Sequence, residues 1–258
     1  WTIDHGNHGL RPARIIAIDL DTNVVIREQI LDPDIAPAGS FLQDLQVSAD
    51  GNTIVIADAS FWRKSPAIII YDVETGRARR VLESHASVSA EDYVIRNNDR
   101  EMKFLGGIVA LRGGIDGIAL GPEWLYFGAI SGSGLYRVRL RDLRDASLPP
   151  GQLANRVERV GDKPLSDGMS IDIEGNVYIT AIEHNAVFIG RPGQEPETLI
   201  RSGRIRWPDA LSFGPDGYLY LADSALAELI LQSREHIDAQ APYRIFRFRP
   251  GVEGIPGQ

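Results

Sequence analysis

The ten-residue stretch DGMSIDIEGN at positions 167–176 decides the fold, because its pattern recurs three more times along the chain. The related stretches start at Gln43, Asp116 and Asp209. Each contains a polar residue, a short alternating strand and an acidic turn, and two further strands follow. Repeated antiparallel units of this size are typical of β-propeller blades, which pack face to face around an axis because one blade cannot cover both of its own faces.

The same repeats indicate how the chain is organised. They account for four four-stranded blades, and we interpret the segment that begins at Trp1 as entry into a fifth blade at its second strand. The interval between the first two repeats is longer than the others. We therefore predict an inserted loop with a hairpin at 84–114, which would be either a lid or decoration, on a single propeller domain spanning 1–258.

Composition narrows the class of protein further. The chain has 258 residues, of which 43% are hydrophobic and 24% charged, and its 26 glycines and 15 prolines favour many short strands. A net charge of −8 and a pI near 5.2 argue against nucleic acid or an anionic membrane as a partner. The absence of cysteine excludes disulfides, thiolate metal sites and a cysteine nucleophile. No membrane span or signal peptide is recognisable in these residues.

The first polar residues of the four repeats are the strongest candidates for a functional site. In a propeller they lie at the mouth of the central channel, so Gln43, Asp116, Asp167 and Asp209 are predicted to meet in one ring. Three facing carboxylates repel one another unless a cation neutralises them, and oxygen donors suit Ca²⁺ first and Mg²⁺ or Mn²⁺ next. The alternative is that each aspartate caps its own loop by accepting backbone N–H groups.

Other candidate residues are weaker. Trp207 stands two residues before Asp209 and is predicted to line a ligand pocket, although core packing is the alternative. His5 and His8 form a His-x-x-His pair without a third zinc ligand in sequence. No nucleophile elbow, phosphate-binding loop or zinc-protease motif is present. A second acidic set is interpreted as hairpin turns: Asp50, Glu123, Glu174 and Asp216.

Several stretches together resemble the bacterial branch of the major royal jelly protein and Yellow family. They are, in the order of the family, SFLQD at 40–44, DGIAL at 116–120, SDGM at 166–169, EHNA at 183–186 and WPD at 207–209. The resemblance covers nearly the whole chain. The family pattern has Asn where this chain has Gln43, whose longer side chain places its amide one methylene further out.

This resemblance implies a six-bladed propeller, here without its N-terminal blade, and a secreted or periplasmic protein. The family is more distantly similar to the gluconolactonase and regucalcin group, which holds a divalent metal, often Ca²⁺, in the channel. By that similarity Asp116 and Asp167 match metal-binding positions, and a further metal-binding glutamate belongs to the first blade.

Three functions follow as hypotheses. The first is a metal-dependent hydrolase of a lactone or similar ester, in which Asp116 and Asp167 hold the metal, Asp209 is a ligand or general base, and Gln43 orients the substrate. The second is a non-catalytic binding protein for a small amine or phenol, because an acidic channel attracts organic cations too. The third, a dopachrome-type isomerase, is implied by the family resemblance alone.

Overall fold

Short runs of β-branched and aromatic residues form the strands of five antiparallel sheets, which make a five-bladed β-propeller in the computed structural model of the chain. The structure describes residues 1–255 and 258. The first blade has three strands and a helical turn between the first two: β1 (Thr2–Asp4), α1 (Gly6–Gly9), β2 (Arg14–Asp19) and β3 (Val24–Ile30). The second blade has four strands: β4 (Leu42–Val47), β5 (Thr53–Asp58), β6 (Ala67–Asp72) and β7 (Ala78–Val81).

Two small hairpins separate the second blade from the third and lie in the segment 84–114. They are β8 (Arg96–Asn97) with β9 (Arg100–Glu101), and β10 (Lys103–Phe104) with β11 (Val109–Ala110). The third blade follows, with two short helices before its outermost strand: β12 (Ile115–Leu120), β13 (Trp124–Ala129), β14 (Gly134–Arg139), α2 (Leu140–Arg144), α3 (Pro150–Ala154) and β15 (Glu158–Asp162).

The last two blades complete the described chain. The fourth has four strands: β16 (Met169–Ile171), β17 (Val177–Ala181), β18 (Ala186–Gly190) and β19 (Glu197–Arg201). The fifth has three strands, a 3-10 helix (Leu226–Glu228) and one α-helix: β20 (Pro208–Phe213), β21 (Leu219–Asp223), α4 (Arg234–Ala239) and β22 (Arg244–Phe248). In the described part of the chain, no helix combines the length and hydrophobicity that crossing a membrane requires.

The blade number corrects the expectation from the sequence. A six-bladed propeller that lacks one blade is wrong, because the structure is a five-bladed propeller. The number six came from the family resemblance, whereas the repeats themselves supply four inner strands behind a three-stranded first sheet. The fifth blade also has three strands rather than four, since α4 and its flanking turns stand between β21 and β22.

Packing between blades fixes the position of the inner strands. The strands β4, β12, β16 and β20 contact one another in that order around the axis. Between the second and third blades, Val55 and Ile68 pack with Ile118 and Phe127, all of which are buried. Burying an aliphatic or aromatic side chain of this size contributes about 1.5–3 kcal/mol. The starts of the inner strands are therefore held together at one end of the channel.

The C-terminal segment lies at the opposite end of these strands. Gly254 forms an antiparallel bridge with Asp172, and Ile255 packs in the cluster that contains Ile171. The backbone N–H of Leu120, at the end of β12, donates to Gln258 Oε1 over 2.8 Å. This segment thus covers the far ends of inner strands, away from Asp116 at the start of β12.

Candidate functional site

Four aspartates meet where the inner strands begin. Asp116 and Asp167 are buried, and their carboxyl groups share a hydrogen bond. Asp209 and Asp44 lie close enough to act electrostatically on both. The predicted convergence of Asp116, Asp167 and Asp209 is thus observed, and Asp44 is an addition. We call these four residues the aspartate cluster.

Strand irregularities bring these side chains to the axis. The pairing register shifts between Leu42 and Leu45 in β4 and between Ile115 and Ile118 in β12, and β20 has the same shift. Such a bulge bends the strand and redirects the side chains around it. As a result Asp44 points inward, where its carboxylate accepts a hydrogen bond from the backbone N–H of Ile118.

Residues at the ends of the second strands hold the loops that carry the cluster. Thr180 Oγ1 accepts the backbone N–H groups of Asp167 and Gly168, both over 3.0 Å. Asp223 Oδ1 accepts the N–H of Trp207 over 2.7 Å, two residues before Asp209. Asp58 Oδ1 accepts the N–H of Phe41 over 2.8 Å in the second blade. The site is therefore built on the rigid strand ends of three blades.

Burial raises the pKa of every carboxyl group in the cluster, and repulsion between members adds to the shift of Asp44, Asp116 and Asp167. Burial and the neighbouring Asp209 raise the pKa of Asp44 to about 7. Burial, followed by the charge of Asp167, raises the pKa of Asp116 well above its usual value. Burial and Asp209 do the same for Asp167, and burial raises the pKa of Asp209 itself. Without a cation, the cluster therefore holds protons that isolated aspartates would release.

A buried lysine stands beside the cluster. The Lys163 ammonium donates to the carbonyl oxygens of Ala129 and Pro164 and to Ser166 Oγ, over 2.8, 3.2 and 3.0 Å. Burial lowers its pKa to about 7, while the charges of Glu91, Asp116 and Asp167 act in the opposite direction. Lys163 thus fastens the loop before Asp167 to the end of β13. Its single positive charge can offset only part of the negative charge that four ionised carboxylates would carry.

The cluster forms the floor of a cavity of about 540 Å³. Three of its carboxylates, those of Asp116, Asp167 and Asp209, line the cavity together with Gln43. The walls are largely apolar, and residues of the 84–114 segment contribute to them. Its aromatic wall residues are Phe41, Phe61, Trp62 and Phe104. The volume lies in the range of small-molecule sites.

Trp207 takes a different position from the one that the sequence suggested for it. Its side chain is fully buried and is not part of the cavity wall. The indole Nε1 donates to Asp167 Oδ2 over 2.5 Å. Any effect of Trp207 on a ligand therefore acts through the orientation of Asp167, whereas Gln43 is exposed to the cavity.

The aspartates at the starts of the inner strands differ from the acidic residues of the hairpin turns in whether they cap their own loops. Among the hydrogen bonds between described residues, none runs from a neighbouring backbone N–H to the side chain of Asp116, Asp167 or Asp209. In the second set, Asp50 accepts the N–H of Asn52 and Asp216 that of Tyr218, as hairpin turns require. The aspartates of the first set therefore do not cap their own loops, and at least these two members of the second set are structural.

Sequence reasoning missed two polar residues of the site. Asp44 follows Gln43 directly, so strict alternation assigns it to the opposite face of β4, and only the bulge reverses that assignment. Lys163 precedes the SDGM stretch by three residues, and a lone lysine in a loop carries no signal in sequence. The DGIAL and SDGM stretches have glycine where Asp44 stands, and that difference was the available clue.

The donor chemistry of the cluster fits a hard divalent cation. Four carboxylates face one another, and all-oxygen donor sets suit Ca²⁺ or Mg²⁺. Within residues 1–255 and 258, however, no three His, Cys, Asp or Glu side chains are placed so that they could hold a metal ion as they stand. Binding would therefore require the Asp116–Asp167 contact to open and the carboxyl groups to release their protons.

Comparison with known proteins identifies the family. The family model described as major royal jelly protein matches residues 1–202, so this chain belongs to the major royal jelly protein family. No curated protein matches the chain significantly. The sequence resemblance to this family is thereby confirmed.

Solved structures share the propeller fold at low identity. A luciferin-regenerating enzyme is 13% identical with a TM-score of 0.62, covering 95% of this chain and 74% of that one. The calcium-binding protein regucalcin from Agrobacterium tumefaciens is 18% identical with a TM-score of 0.57, covering 94% and 73%. A gluconolactonase from Xanthomonas campestris is 14% identical with a TM-score of 0.52, covering 84% and 63%. At these identities the likeness shows the fold alone.

Proposed function

We propose that this chain is a lactonase-like hydrolase of small esters and that the aspartate cluster binds a divalent cation, with Ca²⁺ as the first choice. The observation that carries the proposal is that three carboxylates from three blades, those of Asp116, Asp167 and Asp209, lie together at the floor of an apolar cavity, with Asp44 close behind them. Regucalcin and a gluconolactonase share the fold, which supports the choice of reaction. A buried cluster of this charge is costly to maintain without a cationic ligand.

Each residue of the site has a role in this proposal. Asp116 and Asp167 hold the cation, and Trp207 keeps the Asp167 carboxylate in one orientation. When bound, a divalent cation polarises the carbonyl oxygen of the ester and lowers the pKa of water. Asp209 accepts the proton of the attacking water, because burial raises its pKa and so makes its carboxylate a stronger base than an exposed aspartate. The Gln43 amide orients the ester at the cavity floor.

The cation assignment is tested by calorimetry on purified protein. We expect the parent chain to bind Ca²⁺ and the double variant Asp116→Asn/Asp167→Asn to lose at least about a hundredfold in affinity, because two anionic donors become neutral. Asp238→Asn is the matched control, since its carboxylate is exposed in α4. Unchanged Ca²⁺ affinity in the double variant would contradict the assignment.

The reaction is tested by lactone hydrolysis with and without a chelator. The parent chain should hydrolyse a lactone with Ca²⁺ present and lose that activity in the chelator. Asp209→Asn should keep its Ca²⁺ affinity within about tenfold and lose about 10²–10⁴-fold in kcat, as expected for removal of a general base. Full activity of Asp209→Asn would remove Asp209 from the mechanism.

A second candidate function is non-catalytic binding of a small amine or phenol. The observation in its favour is that Phe41, Phe61 and Trp62 line the same cavity as the carboxylates. Aromatic faces and carboxylates together attract an organic cation. Thermal shift separates the two functions: stabilisation by Ca²⁺ that is lost in chelator supports the hydrolase, and stabilisation by amines in chelator supports the binding protein.

A further inference from the structure

We propose that the preferred ligand has an apolar body, an aromatic ring or a medium-length alkyl chain, attached to a single polar head. The inference rests on the proposed ester hydrolysis and narrows its substrate class. It starts from the distribution of polarity in the cavity. Polar side chains are confined to the floor, at Gln43 and three of the aspartates, with His8 elsewhere on the wall.

The walls offer few partners for hydroxyl groups. Phe61, Phe104, Leu111, Ile130 and Ile230 present carbon to the cavity. A polyhydroxylated lactone would bury hydroxyls against these side chains, and each unpaired hydroxyl lowers affinity by about fivefold or more. An alkyl chain in the same place gains about fourfold for each methylene that leaves water. The cavity therefore selects against sugar-like lactones.

The apolar surface continues from the cavity to solvent. Trp62, Leu105 and Leu231 line the cavity and are still 62%, 69% and 73% exposed. They come from the second blade, the 84–114 segment and the fifth blade. Three separate segments thus place large apolar side chains around one opening. A ligand with an apolar tail would cover this exposed apolar surface. The tail would extend from the carboxylate floor toward this rim.

A matched series of lactones tests the inference. The substrates are a six-membered lactone without substituents, the same ring with three-carbon and six-carbon tails, and a polyhydroxylated lactone of equal ring size. We expect kcat/KM to rise about fourfold per methylene until the tail passes the rim, and to be lowest for the polyhydroxylated compound. Equal or faster hydrolysis of the polyhydroxylated lactone would overturn the inference.

Rim variants test where the tail binds. Leu231→Ser should lower kcat/KM for the six-carbon tail by about fivefold more than for the unsubstituted ring. Leu20→Ser is the matched control, because Leu20 is 85% exposed and lies in the turn after β2, at the other end of the sheets. An equal loss for both substrates in Leu231→Ser would contradict the placement of the tail.

Binding measurements distinguish this inference from the proposed function. The probes are the lactam analogues of the ring and of the tailed lactone, which bind without being hydrolysed, with calorimetry on the parent chain as readout. If no lactone is hydrolysed but the tailed lactam binds more tightly than the plain ring, hydrolysis fails and the ligand class stands. If the two lactams bind equally, or neither binds, the ligand class is overturned whatever the activity.

Discussion

Two glycines set how closely the inner strands approach one another at the aspartate cluster. A Cβ on Gly117 would lie 2.7 Å from the backbone oxygen of Asp167, and one on Gly168 would lie 2.3 Å from that of Asp209. Both contacts are with backbone, which cannot rotate away. Glycine at these two positions therefore lets consecutive blades bring their aspartates together.

We expect Gly168→Ala to destabilise the protein by about 1–3 kcal/mol and to displace Asp209, because overpacking forces the neighbouring strand to move. Chemical denaturation measures the first effect, and Ca²⁺ calorimetry the second. Gly151→Ala is the control: its Cβ would meet nothing within 4 Å, and alanine in a helix gains up to about 1 kcal/mol. Parent-like stability of Gly168→Ala would show that β20 adjusts freely.

Single residues of the site were predictable only where the repeat aligned them. Asp116, Asp167 and Asp209 occupy equivalent positions before their inner strands, so one alignment placed all three. The inward position of Asp44 and the contact of Trp207 with Asp167 were not predicted. Both depend on tertiary features, a bulge and an indole–carboxylate hydrogen bond, that leave no periodic pattern in the sequence. Alternation predicts which face a residue occupies only while the pleat is regular.

At the scale of elements, two buried ion pairs tie second strands to their blades. Asp58 at the end of β5 pairs with Arg80 over 2.8 Å, and Asp223 at the end of β21 pairs with Arg206 over 3.0 Å. Both carboxylates are fully buried and also accept backbone N–H groups of the loop before the inner strand. Each aspartate therefore joins three segments of its blade.

We expect Asp223→Ala to cost about 3–5 kcal/mol, because it leaves the Arg206 guanidinium and two backbone N–H groups without their acceptor. Urea denaturation measures the loss. The exposed pair of Arg234 and Asp238 supplies the control, since Asp238→Ala should change stability by less than about 1 kcal/mol. A loss equally small for Asp223→Ala would mean that water replaces the carboxylate.

Strands were predictable from the sequence where hydrophobic residues follow a clear pattern between turns. The second and third strands of each repeat alternate or run apolar between turn residues, and the structure has strands there, as at β5, β6 and β13. The number of blades was not predictable in this way, because it was taken from the family rather than from the repeats. The hairpins of 84–114 are only two residues per strand, too short for period alone to fix their bounds.

For the whole molecule, the cluster makes stability depend on pH. The folded protein raises the pKa of these carboxyls above the usual 3.8, so folding takes up protons between about pH 4 and 7, where Asp44 titrates. The contribution of Asp44 is complete below about pH 4 and is lost as the pH rises to about 7, and the raised pKa values of Asp116, Asp167 and Asp209 act in the same direction. The contribution of Asp50 to stability depends on pH in the opposite direction. Its pKa is lowered to about 2, so its contribution is present at neutral pH and is lost only as the pH falls below 4.

In chelator, we therefore expect the free energy of unfolding to fall from pH 5 to pH 7, by up to about 1.4 kcal/mol per pH unit for each proton involved. Above pH 7, Lys163 acts in the other direction, because its pKa is lowered to about 7 in the folded state. Urea denaturation across this range measures the slope. The same slope in the triple variant Asp44→Asn/Asp116→Asn/Asp167→Asn would show that groups outside the cluster cause it.

Added Ca²⁺ should stabilise the protein more at pH 8 than at pH 5, because protons and the cation compete for the same carboxylates. The measurement is the shift in Tm at one fixed Ca²⁺ concentration at both pH values. A larger shift at pH 5 would contradict competition at the cluster.

The hydrogen bond between Trp207 and Asp167 gives the protein an internal optical probe. Of the four tryptophans, Trp207 is fully buried, whereas Trp1 and Trp62 are 37% and 62% exposed. Its indole N–H touches the carboxylate whose charge changes when a proton or a cation arrives. We therefore expect the blue edge of the emission spectrum to respond to the charge state of the cavity floor in unlabelled protein, so that the proposed cation binding could be followed by light alone.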